Sequence, residues 1–313
     1  MNKKRKFYYG GQAVIEGVMM RGQKSVAVAV RLPNGVISMR DEPLGGWSTG
    51  RIRDVPFLRG IVVLVETLVL GIKTLFYSAS VALGEEEKVS PWLLWGSVIL
   101  GFVLALALFL VLPLLATQCL DPYVSSIASN VIDGVIRLAI FVIYLGSISL
   151  IPDIRRVFAY HGAEHKTINA HEAGEPLDVE HVRKYSTAHY RCGTNFILMV
   201  LVFAIIVFAF LGRPPMWLRY VERILLLPVI AAVSYEMMKF GAARVGNKLV
   251  EAILTPGLAI QAMTTRQPDD RQIEVAISAL KRVLAVDAGQ PLKLAEEAGP
   301  VTGVADGTGG VAQ

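Results

Sequence analysis

WLLWGSVILGFVLALALFLVLPLLA, residues 92–116, carries no charged side chain. As a helix it exceeds the roughly 20 residues that a bilayer core of about 30 Å requires. Trp92 and Trp95 stand at its start, where interfacial aromatic anchors belong. This run decides the fold class: a mainly α, polytopic helical membrane protein.

Three further stretches are read as spans. Residues 131–151 hold Asp133 and Arg137 near one end, residues 195–212 are short but uncharged, and residues 221–240 contain Pro228 and Glu236. With residues 92–116 that makes about four. Residues 56–83 differ, because Arg59, Glu66 and Lys73 recur every seven residues on one helical face. That pattern predicts an amphipathic or re-entrant helix at the membrane surface, with a tilted span as its rival.

Composition agrees with the class. Hydrophobic residues make up 53% of the chain and charged residues 18%, which suits a multi-pass membrane protein better than a soluble domain. The net charge of +5 is accounted for by Lys and Arg flanking the spans. No basic stripe interleaves with aromatics, so no nucleic-acid partner is expected. The expected partners are the lipid bilayer and a membrane or cytosolic protein. "MNKKRK" is followed by a Gly-rich stretch rather than an apolar run with a cleavage site, so no secretory signal is expected. Cys119 and Cys192 are too few for a disulfide framework.

The Lys and Arg distribution sets the orientation. Both are frequent before residue 92 and between residues 152 and 194, and "TQCLDPYVSSIASN" has neither. The protein is therefore expected in the cytoplasmic membrane with both termini cytoplasmic. Arg213 and Arg219, in the connection that this places outside, dissent.

Four segments follow. Residues 1–55 form a small β-rich cytoplasmic unit, with a hairpin around "PNG" placing Val26, Val28 and Val30 on one strand and Val36 and Met39 beyond the turn. Residues 56–240 form the helical membrane domain, including a cytoplasmic His-rich connection at 152–194. Residues 241–286 form two C-terminal cytoplasmic helices. Pro256 and Gly257 break the first; Asp269 or Asp270 caps the second, in which Ile273, Ile277, Leu280 and Leu284 share a face. Residues 287–313 form a Gly- and Ala-rich tail with little to bury, expected to be disordered.

All five histidines fall between His161 and His189, and Cys192 lies just beyond. A helix beginning near Asp153 puts Phe158, His161, His165 and Ile168 on one stripe, so both histidines continue an apolar face. H-x-x-E-H is the inverted zincin arrangement: imidazoles at i and i+4 bind a divalent metal, most naturally zinc, and Glu164 acts as general base toward a coordinated water. A third ligand is needed. Glu172, seven residues after His165, Cys192 and His189 are the candidates. The competing reading makes the histidines and Glu164 a metal-free polar network at a bundle mouth. Glu16 reads as the partner of Arg21 or as a turn residue rather than a site residue. A Cys192 nucleophile partnered by His189 ranks below metal ligation, because no orienting third group is evident.

"GGQAVIEGVMMRG", "PFLRGI", "HGAEHKTI", "RCGT" and "PGLAIQAMTTRQPDD", in this order, resemble the YqhQ-like family of bacterial membrane proteins, a domain of unknown function. The resemblance implies an integral membrane protein and a metal-dependent enzyme. It carries over to His161, Glu164, His165 and Cys192 and does not require His171. The reading is thus a hydrolase-like metal site at the cytoplasmic membrane face. The alternative is a non-enzymatic scaffold or assembly factor that binds a protein partner.

Overall fold

The computed structural model describes residues 7–45, 50–82 and 90–292. The tail beyond residue 292 and part of the loop after Leu44 lie outside the described residues. The chain opens with four strands, β1 (Gly10–Val14), β2 (Gly17–Arg21), β3 (Ser25–Arg31) and β4 (Ile37–Pro43), in one antiparallel meander of order β1-β2-β3-β4. The β3–β4 hairpin is the one expected around "PNG", with Val28 opposite Arg40 and Val30 opposite Ser38. The Gly-rich run before it is a second hairpin, β1–β2, whose turn holds Glu16 at φ +52°. Arg156 and Tyr160 take the carboxylate of Glu16. Arg21, the partner expected from sequence, instead sits at the far end of β2 and reaches Glu66.

Strand β3 is buried along nearly its whole length because both faces of the sheet are covered. Its Val and Ala residues divide accordingly. Val26, Val28 and Val30 pack on one side with Leu70, Tyr77 and Val81, which belong to α1 (Leu58–Ala82). Ala27 and Ala29 face the other side, where small side chains let a helix approach closely. That helix is α10, described below.

The helical region follows. Helix α2 (Pro91–Leu106) passes through a π turn at Ala107–Val111 into α3 (Leu112–Gln118), and α4 (Ser126–Ile148) comes next. Then come α5 (Pro152–Ala173), the short α6 (Val179–Arg183), α7 (Gly193–Ala209), α8 (Met216–Ala242), α9 (Lys248–Thr264) and α10 (Asp270–Asp287). Among the described residues four helical stretches are long and apolar enough to cross a membrane: Leu58–Ala82, Trp92–Gln118, Ser126–Ile148 and Met216–Ala242. Gly193–Ala209 is apolar but shorter. Large apolar side chains such as Leu93, Phe102 and Leu225 point outward from these helices, the surface that lipid would cover.

Helix α1 has the length of a span, yet from Glu66 to Val81 it lies against the sheet. The buried Glu66 carboxylate accepts from Arg21 and Arg53, and Tyr77 meets Ser38 across 3.0 Å. Leu68 and Val69 face outward. One face is therefore committed to the β unit, and the start of the helix packs against residues 232–236 through Gly60 and the Arg59–Glu236 pair.

Helix α9 corrects one expectation. Pro256 sits inside it and does not end it. The ring removes one intrahelical hydrogen bond, and burial of Leu254, Gly257 and Gln261 on the inner face outweighs that loss. Helix α10 begins as expected at Asp269, which forms a reciprocal capping box with Gln272. Ile273, Ile277 and Leu280 are buried between the sheet and α5. Residues from the N-terminal, central and C-terminal parts of the chain thus share one core, and that core carries α5.

Candidate metal centre

Helix α5 starts at Pro152, whose missing N–H is harmless at a first helical position, and ends on Gly174 in the left-handed conformation. Within it, His161 and His165 lie one turn apart with ring centroids 4.3 Å from each other. Their outer nitrogens have fixed partners. Nδ1–H of His161 donates to the carbonyl of Thr264 at 2.8 Å, and Nδ1–H of His165 donates to that of Thr187 at 2.6 Å. A carbonyl accepts only, so each neutral ring keeps its lone pair on Nε2.

Both rings turn toward the same sulfur. His161 Nε2 lies 3.2 Å from Cys192 Sγ, and the donor atoms of His161, His165 and Cys192 all fall within 4.8 Å of one another. Cys192 caps α7, its sulfur accepting from the Thr194 N–H. A tetrahedral zinc with ordinary bond lengths separates neighbouring nitrogen and sulfur ligands by about 3.5 Å. Two carbonyl-anchored imidazoles and a thiol at these separations are a donor set of the kind that suits zinc.

The electrostatics suit a thiolate. Burial pushes the Cys192 thiol up, but hydrogen bonds and positive charge from His161 and His165 overcome it and hold the group well below its ordinary range. His161 shows the converse. Burial disfavours its imidazolium, yet the cysteine and Glu164 raise it to about 9. A cation that binds there would compete with the proton that the sulfur and the imidazole share. His189 is driven down to about 3 by burial and by the neighbouring His165 and Arg191.

Glu164 faces the same cavity and is buried. Burial raises its carboxyl, against the pull of His165 and His161, and the Gly11 N–H bonds to it. Strand β1 reaches this close because Gly11 has no side chain: a Cβ there would lie 2.4 Å from the Met19 carbonyl and 3.1 Å from Glu164 Cγ. The cavity, about 90 Å³, is lined by Tyr9, Gly10 and Gly11 from the β unit and by the histidines, Glu164, Arg191 and Cys192.

The remaining candidates fall outside the cluster. Glu172 shares the stripe of His165 but pairs with Arg191 at the rim, because its two extra helical turns carry it past the cavity. The β-unit residue Tyr8 stacks under the same guanidinium, 4.2 Å from its centroid. His189 lies behind His165, its Nδ1 bonded to Asn169 Oδ1 at 2.9 Å and its backbone clamped by Gln261. His181 is at the surface with Asp178, and Cys119 is exposed. Sequence reasoning missed the supporting shell of Thr264, Thr187, Asn169 and Gln261. The first two act through backbone carbonyls, which leave no trace in residue identity. Only the density of glycines around Gly11 was a usable signal.

The family model described as "Protein of unknown function (DUF1385)" matches residues 55–286. The chain belongs to this family. A relative from Bacillus subtilis (strain 168), described as "Uncharacterized protein YqhQ", is 33% identical over 296 residues, covering 90% of this chain and 93% of that protein. No solved structure matches. The matched region contains α5, Cys192 and the Thr264 segment, while β1 and Gly11 precede it.

Proposed function

We propose that the chain is a membrane-embedded, metal-dependent enzyme of hydrolase type, with its centre on the cytoplasmic side of a helical bundle. The observation that carries this reading is the pair of imidazoles, each with Nδ1 spent on a carbonyl and Nε2 aimed at one cysteine sulfur. In this reading His161, His165 and Cys192 hold a divalent ion, zinc being the natural choice for that donor set. Such an ion would supply Lewis acidity toward a water or substrate oxygen. Glu164, beside the ligands and facing the cavity, takes and returns a proton. The Gly11 N–H orients its carboxylate, and the β unit narrows the approach. Three such residues beside a cavity would be the donor count of catalytic rather than structural sites.

Cysteine nucleophilic catalysis is the second reading, favoured by the 3.2 Å approach of His161 to Cys192 and by the Thr264 carbonyl as orienting group. It leaves the second imidazole on the same sulfur without a task, and for that reason it ranks below metal binding.

Glu164→Gln separates the roles. Bound metal is expected to stay at the wild-type level, while hydrolysis of whichever ester, amide or phosphoester in a substrate panel the wild type cleaves falls by 10²-fold or more, at about the size of a lost general base. Loss of metal in this variant would make Glu164 a ligand and refute its assigned role.

A further inference from the structure

A second pocket lies on the other side of α5. Pro152, Arg155, Arg156 and Ala159 recur at three- and four-residue steps and line it together with Arg266 and Gln267. At about 100° per residue, their stripe points opposite to that of His161, Glu164, His165 and Ile168. The two pockets share no residue.

The charges in its wall are unequal. Arg156 is held by Glu16, whose carboxylate Tyr160 also touches. Asp269, whose field reaches Arg156, is committed to capping α10. Arg155 and Arg266 are exposed, and among the described residues neither guanidinium meets a carboxylate. Three guanidiniums against the carboxylates of Glu16 and Asp269 leave a surplus of one positive charge, on the side of Arg155 and Arg266. The backbone that carries them is rigid: the Arg266 N–H donates to the Phe158 carbonyl at 2.9 Å, and the Arg266 carbonyl rests on Gly162. The pocket, about 440 Å³, opens where α5 begins, four residues after the end of α4. If α4 spans the bilayer, this is the depth of the lipid phosphates.

We propose that this pocket binds a phosphate group, with Arg155 and Arg266 donating to its oxygens and Glu16 holding Arg156 in place as the third cation. Arginine forks match phosphate oxygens two at a time. The phosphate belongs either to an anionic lipid headgroup or to a soluble phosphate. The site is independent of the metal centre, so either can fail alone.

The test uses the full chain in uncharged detergent, titrated with short-chain phosphatidylglycerol and, separately, with inorganic phosphate, while the thermal midpoint is followed. Wild type is expected to show saturable stabilisation, with the apparent Kd for the bound probe weakened about tenfold or more in Arg155→Gln/Arg266→Gln. Stabilisation by phosphatidylglycerol alone assigns the site to a lipid headgroup, and stabilisation by inorganic phosphate assigns it to a soluble group. If the double variant does not fold, Arg155→Gln and Arg266→Gln singly carry the test, each expected to weaken binding about threefold. Stabilisation by neither probe, or stabilisation unchanged by the substitutions, overturns the proposal.

Discussion

Asp133→Ala is expected to destabilise the helical bundle by about 3–5 kcal/mol. Asp133 is 1% exposed and faces two guanidiniums, Arg137 and Arg223, each at 3.0 Å. Asn130 and the face of Phe208 are their other neighbours. Truncating the carboxylate leaves both buried cations without the acid that pairs them, whereas removing all three charges together avoids the unpaired cations. Asp133→Ala/Arg137→Met/Arg223→Met should therefore recover most of the loss. Unfolding by SDS in mixed micelles measures both variants. An Asp133→Ala protein as stable as wild type would mean that α4 and α8 are not joined through this triad.

The second large effect comes from a residue with no side chain. Gly162 lies between the two histidines, and a Cβ there would stand 2.1 Å from the Arg266 carbonyl oxygen. A backbone atom cannot rotate away, so Gly162→Ala must push α5 and the 264–266 segment apart, at about 1–3 kcal/mol. That segment also holds His161 through the Thr264 carbonyl. Loss of such a supporting bond typically lowers metal affinity by about 10–100-fold. Gly162→Ala is thus expected to bind zinc that much more weakly in a competition titration while retaining His161, His165 and Cys192. Unchanged zinc affinity would show that the carbonyl does not orient the ring.

What was legible in the sequence was local. Residues 92–116 announce an apolar helix by composition alone, "PNG" fixes a hairpin through turn chemistry, and four-residue spacing places His161 and His165 together on any helix. Cys192 stood out because it follows directly on the histidine-rich stretch. Relations across the fold were not legible. Glu172 was a candidate on helical spacing, and only the tertiary path of Arg191 assigns its carboxylate elsewhere. The β1–β2 hairpin was hidden because its glycines serve close packing, against Glu164 and against β3, rather than an alternating pattern. Helix α9 runs through Pro256 because burial beyond it outweighs one missing hydrogen bond, a balance that a local rule cannot weigh.

Elemental analysis of the protein purified without chelators tests the central claim most directly, with wild type beside His161→Ala/His165→Ala of matched helicity. The account predicts about one zinc ion per chain in wild type and none in the double variant. Wild type without metal, or metal retained when both imidazoles are gone, would contradict it.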